Sequence, residues 1–319
     1  MLLFSIDPEC RFAHALASEL GESLSALEDR AFEDGEHKLR PLVDPRGHDA
    51  YVIASLYGGP LLSPHDKLFQ LLMFSATLRE HGAGRVTAVV PYLAYARKDR
   101  QTKPHDPLTL RYVAQLFEAV GIAQVIVLEA HNVAAFQNAF RCLTLHVPAH
   151  EVFDPFVHEI VGVEPLAVAS PDPGGVKRAQ LWRESLEHRL VRPVGFAMVD
   201  KRRSAGLISS SNLVAGDVDG MTVLLLDDLI AGGDTMKRAA DALRRAGAHR
   251  VVACAAHGLF TAGAPEVLAP PAVDQLLVTD SVPPFRLPVT GAVSRKLRIV
   301  SAAPRFADAI RACRVDLPG

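Results

Sequence analysis

The chain has 319 residues, 49% of them hydrophobic and 22% charged, with 34 basic and 36 acidic side chains and a net charge of −2. That length suits about two domains, and the near balance of charge gives no reason to expect nucleic acid or an anionic membrane as a main partner. Cys10, Cys142, Cys254 and Cys313 lie far apart with no C-x-x-C pair, which speaks for thiols in a reducing compartment rather than a disulfide or zinc framework. The opening MLLFSIDPEC lacks a basic n-region, so no secretory signal is expected there. No uncharged apolar run reaches the ~18 residues of a membrane span. The expectation is a cytoplasmic protein with neither nucleic acid nor membrane as partner.

In chain order, "RAFEDGEHKLRP" first places Phe32 before a compact acidic turn, Asp34-Gly35-Glu36. One unit then recurs: an amphipathic helix, a glycine and an apolar strand. It appears as "TLREHGAGRVTAVVPY", "LFEAVGIAQVIVLEAH" and "DALRRAGAHRVVACAAH". Gly82, Gly121 and Gly247 stand where a helix C′ residue needs positive φ. The runs Val86–Val90, Val125–Leu128 and Val251–Ala255 are continuously apolar, as strands buried on both faces should be. The first and third copies align without gaps 165 residues apart, Leu78 with Leu243, Gly82 with Gly247 and Arg85 with Arg250. This suggests two similar α/β halves, each built of βαβ units around a mainly parallel sheet flanked by helices. Helix and strand periodicity lapse in "LHVPAHEVFDP", so the expected domains are 1–147 and 148–319, with Pro304–Cys313 as a closing helix of the second.

In open parallel sheets, ligands bind beyond the carboxyl ends of the strands. After Val86–Val90 comes "PYLAYARKDRQ", where Arg97, Lys98, Asp99 and Arg100 suit a polyphosphate or form a solvated loop. After Val125–Leu128 comes "EAHN", in which His131 can ligate a metal, touch a phosphate or be structural. After Leu166–Ala169 comes "SPDPGGVKRAQ". Two prolines stiffen the loop around Asp172, and Gly174 and Gly175 offer backbone N–H donors beside a carboxylate, a set that suits magnesium pyrophosphate. After Val194–Val199 comes "DKRRSAGLISSSN", whose Lys201, Arg202 and Arg203 lead into a Ser, Gly and Ala segment. It reads either as a lid closing over a transferring phosphate or as a basic surface patch. After Val223–Leu226 come Asp227 and Asp228, a glycine loop, and a helix from about Thr235. A loop and helix N-terminus make a phosphate cradle, and the acids can take sugar hydroxyls or magnesium. The alternative is a plain βα turn capped by Asp234 or Thr235.

Taken together, these motifs resemble the ribose-phosphate pyrophosphokinase family over nearly the whole chain. "FEDGE" resembles its F-S-D-G-E, "PYLAYARKDR" its P-Y-x-x-Y-A-R-Q-D-R, "EAH" its D-L-H, and "SPDPGGVKRA" its S-P-D-x-G-G-V-x-R-A. "DKRR" is shared, and "LDDLIAGGDT" stands where the family has V-D-D-M-I-D-T-G-G-T, followed here by "HGLFTAG". The resemblance implies two tandem phosphoribosyltransferase-like domains, an ATP-side first half and a second half carrying the ribose-phosphate loop, pyrophosphate loop and lid. It implies transfer of the diphosphoryl group of Mg-ATP to the 1-hydroxyl of ribose 5-phosphate, giving phosphoribosyl diphosphate and AMP, in a homo-oligomer, a dimer or larger. Carried over, Phe32, Asp34, Gly35, Glu36, Arg97, Lys98 and Asp99 bind ATP, with Phe32 against the adenine. His131 and Asp172 hold Mg2+, and Asp172, Gly174 and Gly175 form the pyrophosphate loop. Lys201 and Arg203 are the catalytic lid cations. Arg203, Asp227, Asp228, Ala231, Gly232, Gly233, Asp234 and Thr235 bind ribose 5-phosphate. The sequence departs from the pattern at Ala231, Gly232 and Asp234, at Lys98 in place of glutamine, and at Asp66 where the family commonly has asparagine. Alternatives in keeping with the departures are another sugar-phosphate acceptor, a phosphoribosyltransferase, or a non-catalytic nucleotide-binding member that assembles with an active partner.

Overall fold

A computed structural model of the protein describes residues 1–200, 203–204, 207–208 and 213–315. The chain divides into two compact units, Met1–Pro148 joined by the returning segment from Ser301, and Ala149–Val300.

The first unit runs β1 (Leu2–Ser5), α1 (Arg11–Leu20), β2 (Leu27–Ala31), β3 (His37–Pro41), β4 (Asp49–Ile53), α2 (Pro64–Glu80), β5 (Arg85–Val90), α3 (Thr109–Ala119), β6 (Gln124–Leu128), α4 (Val133–Ala139) and β7 (Leu143–Val147). Five strands form a parallel sheet in the order β1-β4-β5-β6-β7. Ala50, Val52, Val86, Ala88, Val90, Val125 and Val127 alternate onto one face against Leu71, Leu78, Val113 and Phe117 of α2 and α3. The intervening Tyr51, Ile53, Val89 and Ile126 are buried as well, so continuous apolar runs mark strands covered on both sides.

The second unit runs α5 (Ala149–Val161), β8 (Leu166–Ser170), a 3-10 turn at Pro173–Gly175, α6 (Val176–Leu190), β9 (Gly195–Asp200), β10 (Arg203–Ser204), β11 (Leu207–Ile208), β12 (Leu213–Ala215), β13 (Thr222–Ile230), α7 (Asp234–Arg245), β14 (Arg250–Gly258), α8 (Ala264–Leu268), β15 (Gln275–Thr279), α9 (Ala292–Lys296) and β16 (Leu297–Val300). Its sheet has the order β12-β9-β8-β13-β14-β15-β16, parallel except for β12 against β9. Met236, Ala239, Ala240 and Leu243 of α7 close the core on one face. Trp182 of α6 is fully buried, and its indole donates to Asp154 of α5 at 2.8 Å.

The final helix, α10 (Ala303–Val315), packs in the first unit, where Phe306 meets Phe12 of α1 edge to face at 5.1 Å. The sequence-based boundary assigns this helix to the second half because it is contiguous with it. Apolar side chains of both helices bury better against each other, and the chain returns to do so.

The repeated helix–glycine–strand unit recurs in atomic detail. Gly82 (φ 85°) and Gly247 (φ 96°) both hold the left-handed conformation that closes a helix. Ala83 N–H donates to Leu78 C=O at 3.0 Å, and Ala248 N–H to Leu243 C=O at 3.0 Å. Arg79 returns to the Ala83 carbonyl at 3.1 Å, as Arg244 does to that of Ala248 at 3.2 Å.

Candidate active site

In the first unit, the loops that follow β5 and β6 lie side by side because those strands are neighbours. Tyr95 holds φ 64°, its hydroxyl bonded to His65 Nδ1 at the start of α2, and its carbonyl accepts from Thr109 Oγ1 at 2.9 Å. A bulky residue at positive φ is strained, and its neighbours hold it there. Asp99, two residues past Arg97, accepts a 2.7 Å hydrogen bond from Asn132 Nδ2, and the oxygen of the same amide caps α4 through Ala135 N–H at 3.1 Å. The β5 loop is thus tied to the turn that carries His131, which is exposed. Before it, Glu129 is buried at φ 38° with its carboxylate 3.9 Å from His146 Nε2. Lys98 lies 3.2 Å from Asp106, and Asp106 Oδ2 also accepts from the Thr102 and Lys103 amides and the Thr102 hydroxyl. The Thr102 bonds first, then Lys98, hold the Asp106 carboxyl well below the usual carboxylate range.

The segment Phe32–Glu36 is the tip of the β2–β3 hairpin, closed by Phe32 N–H to Glu36 C=O at 2.7 Å and by Asp34 Oδ1 accepting Glu36 N–H at 3.1 Å. Phe32 is 42% exposed, with the Arg30 guanidinium 5.1 Å from its ring centroid. An aromatic side chain left open at a hairpin tip is available to a flat ligand.

In the second unit, the loops after β9, β8 and β13 again follow adjacent strands. Asp172 Oδ1 accepts both Gly174 N–H at 2.9 Å and Gly175 N–H at 3.3 Å. The sequence reading aims those donors at an anion; here they are taken up by the loop's own carboxylate, an Asx turn that sets the entry to α6. Gly175 is confined: a Cβ there would lie 2.7 Å from Ser170 Oγ, which itself donates to Asp172 C=O at 2.5 Å.

The acids at the end of β13 do not end the strand. β13 continues through them to Ile230, paired with β14 as far as Gly258, because a carboxylate on a strand leaves the backbone ladder intact. Asp227 Oδ1 accepts the Asp228 amide at 2.9 Å and sits 3.7 Å from Arg178 of α6. Burial, and then the charge of Asp228, push the Asp227 carboxyl well above the usual aspartate range, against the pull of Arg178. Arg178 lies inside the matched "GGVKRA" motif, and its offset of three residues from Gly175 is the signal that it faces this loop. Gly233 (φ 88°) is the N-cap of α7 and no side chain caps the helix, so neither Asp234 nor Thr235 is the cap. A Cβ at Gly233 would meet Leu268 Cγ at 2.8 Å.

The basic segment begins after the register pair Asp200↔Leu213. Arg203 is in β10, paired with Ile208 of β11. Lys201 and Arg202 lie outside the described residues. Among the described residues no group of three or more His, Cys, Asp and Glu side chains is placed to hold a metal.

Comparison with known proteins decides the family. Residues 1–121 match the N-terminal domain of ribose phosphate pyrophosphokinase, and residues 209–316 match the phosphoribosyl synthetase-associated domain. A ribose-phosphate pyrophosphokinase of Helicobacter hepaticus is 34% identical over 310 residues, 97% of this chain and 94% of that protein. The chain belongs to the ribose-phosphate pyrophosphokinase family. The ribose-phosphate pyrophosphokinase of Aquifex aeolicus is 34% identical over 296 residues, 93% of this chain and 90% of its own. The crystal structure of the phosphoribosylpyrophosphate synthetase from Mycobacterium smegmatis superimposes with a TM-score of 0.85 at 31% identity, over 99% of each chain. The fold is therefore that of the pyrophosphokinase family, two phosphoribosyltransferase-like α/β units in one chain, and no helix among the described residues is long and apolar enough to cross a membrane.

Proposed function

We propose that this chain transfers the diphosphoryl group of ATP to the 1-hydroxyl of ribose 5-phosphate, releasing AMP. The observation that carries the reading is the family match over nearly the whole chain, with 34% identity to a ribose-phosphate pyrophosphokinase over 97% of its residues. Arg97, with its loop tied through Asp99, orients the triphosphate, and Phe32 contacts the adenine. Asp227, supported by Asp228, binds the acceptor's hydroxyls, and the Ala231–Thr235 loop receives its phosphate. The 1-hydroxyl oxygen loses its proton to solvent and forms a bond to the β-phosphorus as the bond from that phosphorus to the oxygen bridging the α- and β-phosphates breaks, and AMP departs with that oxygen. Lys201 and Arg203 stabilise charge spreading over the transferring group.

The donor set fits magnesium delivered with ATP. Single ligating side chains, with no group of three or more among the described residues, suit a cation that keeps its waters and binds mostly through phosphates. His131 of the first unit and Asp172 of the second are each proposed as a magnesium ligand, and the ion would neutralise phosphate charge when bound. A homo-oligomer and a cytoplasmic setting belong to the same proposal, and Phe32 at the hairpin tip is open to a ligand or to a second copy of the chain. The test is AMP formation from Mg-ATP with ribose 5-phosphate and a panel of other sugar phosphates. Ribose 5-phosphate should be the best acceptor, and ADP in place of AMP would contradict the reading.

A further inference from the structure

Asp234 is the first residue of α7 and is exposed. Its carboxylate leans over the acceptor loop: a Cβ on Gly232 would lie 3.4 Å from Asp234 Oδ2 and 3.9 Å from Thr261 Oγ1. Thr261 is part of the same enclosure, donating its N–H to Ala231 C=O at 3.0 Å. A negative charge thus stands beside the loop's second residue, at the positive end of the helix. Lys237, one turn on, lies 2.9 Å from Asp241 and is committed to that carboxylate. Arg238 reaches the end of the loop, 3.5 Å from Thr235 Oγ1, but neither Ala231 nor Gly232 carries a side-chain donor.

A helix N-terminus favours one anion through its unpaired N–H groups. Here part of that preference is already spent on a carboxylate of the chain itself. A second anion arriving a few ångströms away is opposed by like-charge repulsion, weakened but not cancelled by solvent. We propose that Asp234 is a charge-selecting residue of the acceptor loop. It weakens capture of a doubly charged phosphate terminus, so that ribose 5-phosphate is held less tightly than by the same loop without the charge. The proposal rests on the reading that this loop receives the acceptor.

The test uses the full-length protein and its Asp234→Asn and Asp234→Glu variants, with KM for ribose 5-phosphate measured at saturating Mg-ATP and KM for ATP in parallel. The asparagine variant should lower KM for ribose 5-phosphate about tenfold, a gain of about 1.4 kcal/mol. The glutamate variant, which keeps the charge, should stay near the wild type, and KM for ATP should not move. An unchanged or raised KM in the asparagine variant, or an equal fall in the glutamate variant, overturns the charge-selecting role and leaves the acceptor reading standing. No AMP from ribose 5-phosphate with any of the three proteins, each folded by circular dichroism, overturns the acceptor reading and this proposal with it.

Discussion

Asn132 holds Asp99 by a 2.7 Å hydrogen bond across two neighbouring strand ends, and the same side chain caps α4 through Ala135 at 3.1 Å. The two roles separate by mutation. Asn132→Ser keeps a capping oxygen but is too short to reach Asp99, so its melting temperature should hold while KM for Mg-ATP rises several-fold. Asn132→Ala should raise KM in the same way and also lose about 1 kcal/mol of stability. Thermal melts beside steady-state kinetics check both; an unchanged KM in the serine variant would mean that the link positions nothing.

Asp227 should be a site where function costs stability. Its folded carboxyl titrates well above the ordinary aspartate range, so the native state holds a proton that the unfolded chain releases. By linkage that contribution is full below the unfolded value near 4 and is lost as pH rises through the raised native value. Asp227→Asn removes the penalty. Its melting temperature should exceed that of the wild type at pH 7.5, and the gap should shrink as the pH is lowered toward 4. Its kcat/KM for ribose 5-phosphate should fall. A gap that widens on acidification would contradict the titration argument.

Lys201→Ala should leave ATP binding largely intact and reduce turnover more than a hundredfold, the usual cost of removing one charge-stabilising donor. ATP affinity by calorimetry and kcat by AMP release are the two readouts. Near-normal turnover would refute the lid assignment.

Magnesium should act through the nucleotide. With no preformed cage of three or more ligating side chains among the described residues, chelator treatment should leave the melting temperature of the nucleotide-free protein unchanged. Mg-ATP should raise it, by about 2.7 kcal/mol of added stability at a hundred times its dissociation constant. A large loss of stability on chelation alone would point to a structural metal instead.

Much of this molecule is readable in its residues. The glycines at 82 and 247 announce helix ends because few other residues accept their conformation, and the long apolar runs announce strands buried on both faces. Four features are harder to read, each for a physical reason. Asp227 and Asp228 look like the end of a strand, because hydropathy registers side chains while the ladder to β14 is made by the backbone. The closing helix looks like part of the second half, because its contact with Phe12 spans almost the whole chain. The Gly174 and Gly175 amides look free for an anion, because the sequence does not reveal that Asp172 turns back on them. The tie between Asp99 and Asn132 is likewise a contact between distant segments, invisible until the sheet order brings two loops together.

The central claim is diphosphoryl transfer between two named substrates, and 31P NMR of Mg-ATP with ribose 5-phosphate tests it most directly. The account predicts that AMP and phosphoribosyl diphosphate appear in equal amounts as both substrates are consumed, with no ADP. ADP with a singly phosphorylated sugar, or no AMP from the folded, magnesium-supplied protein, would contradict it.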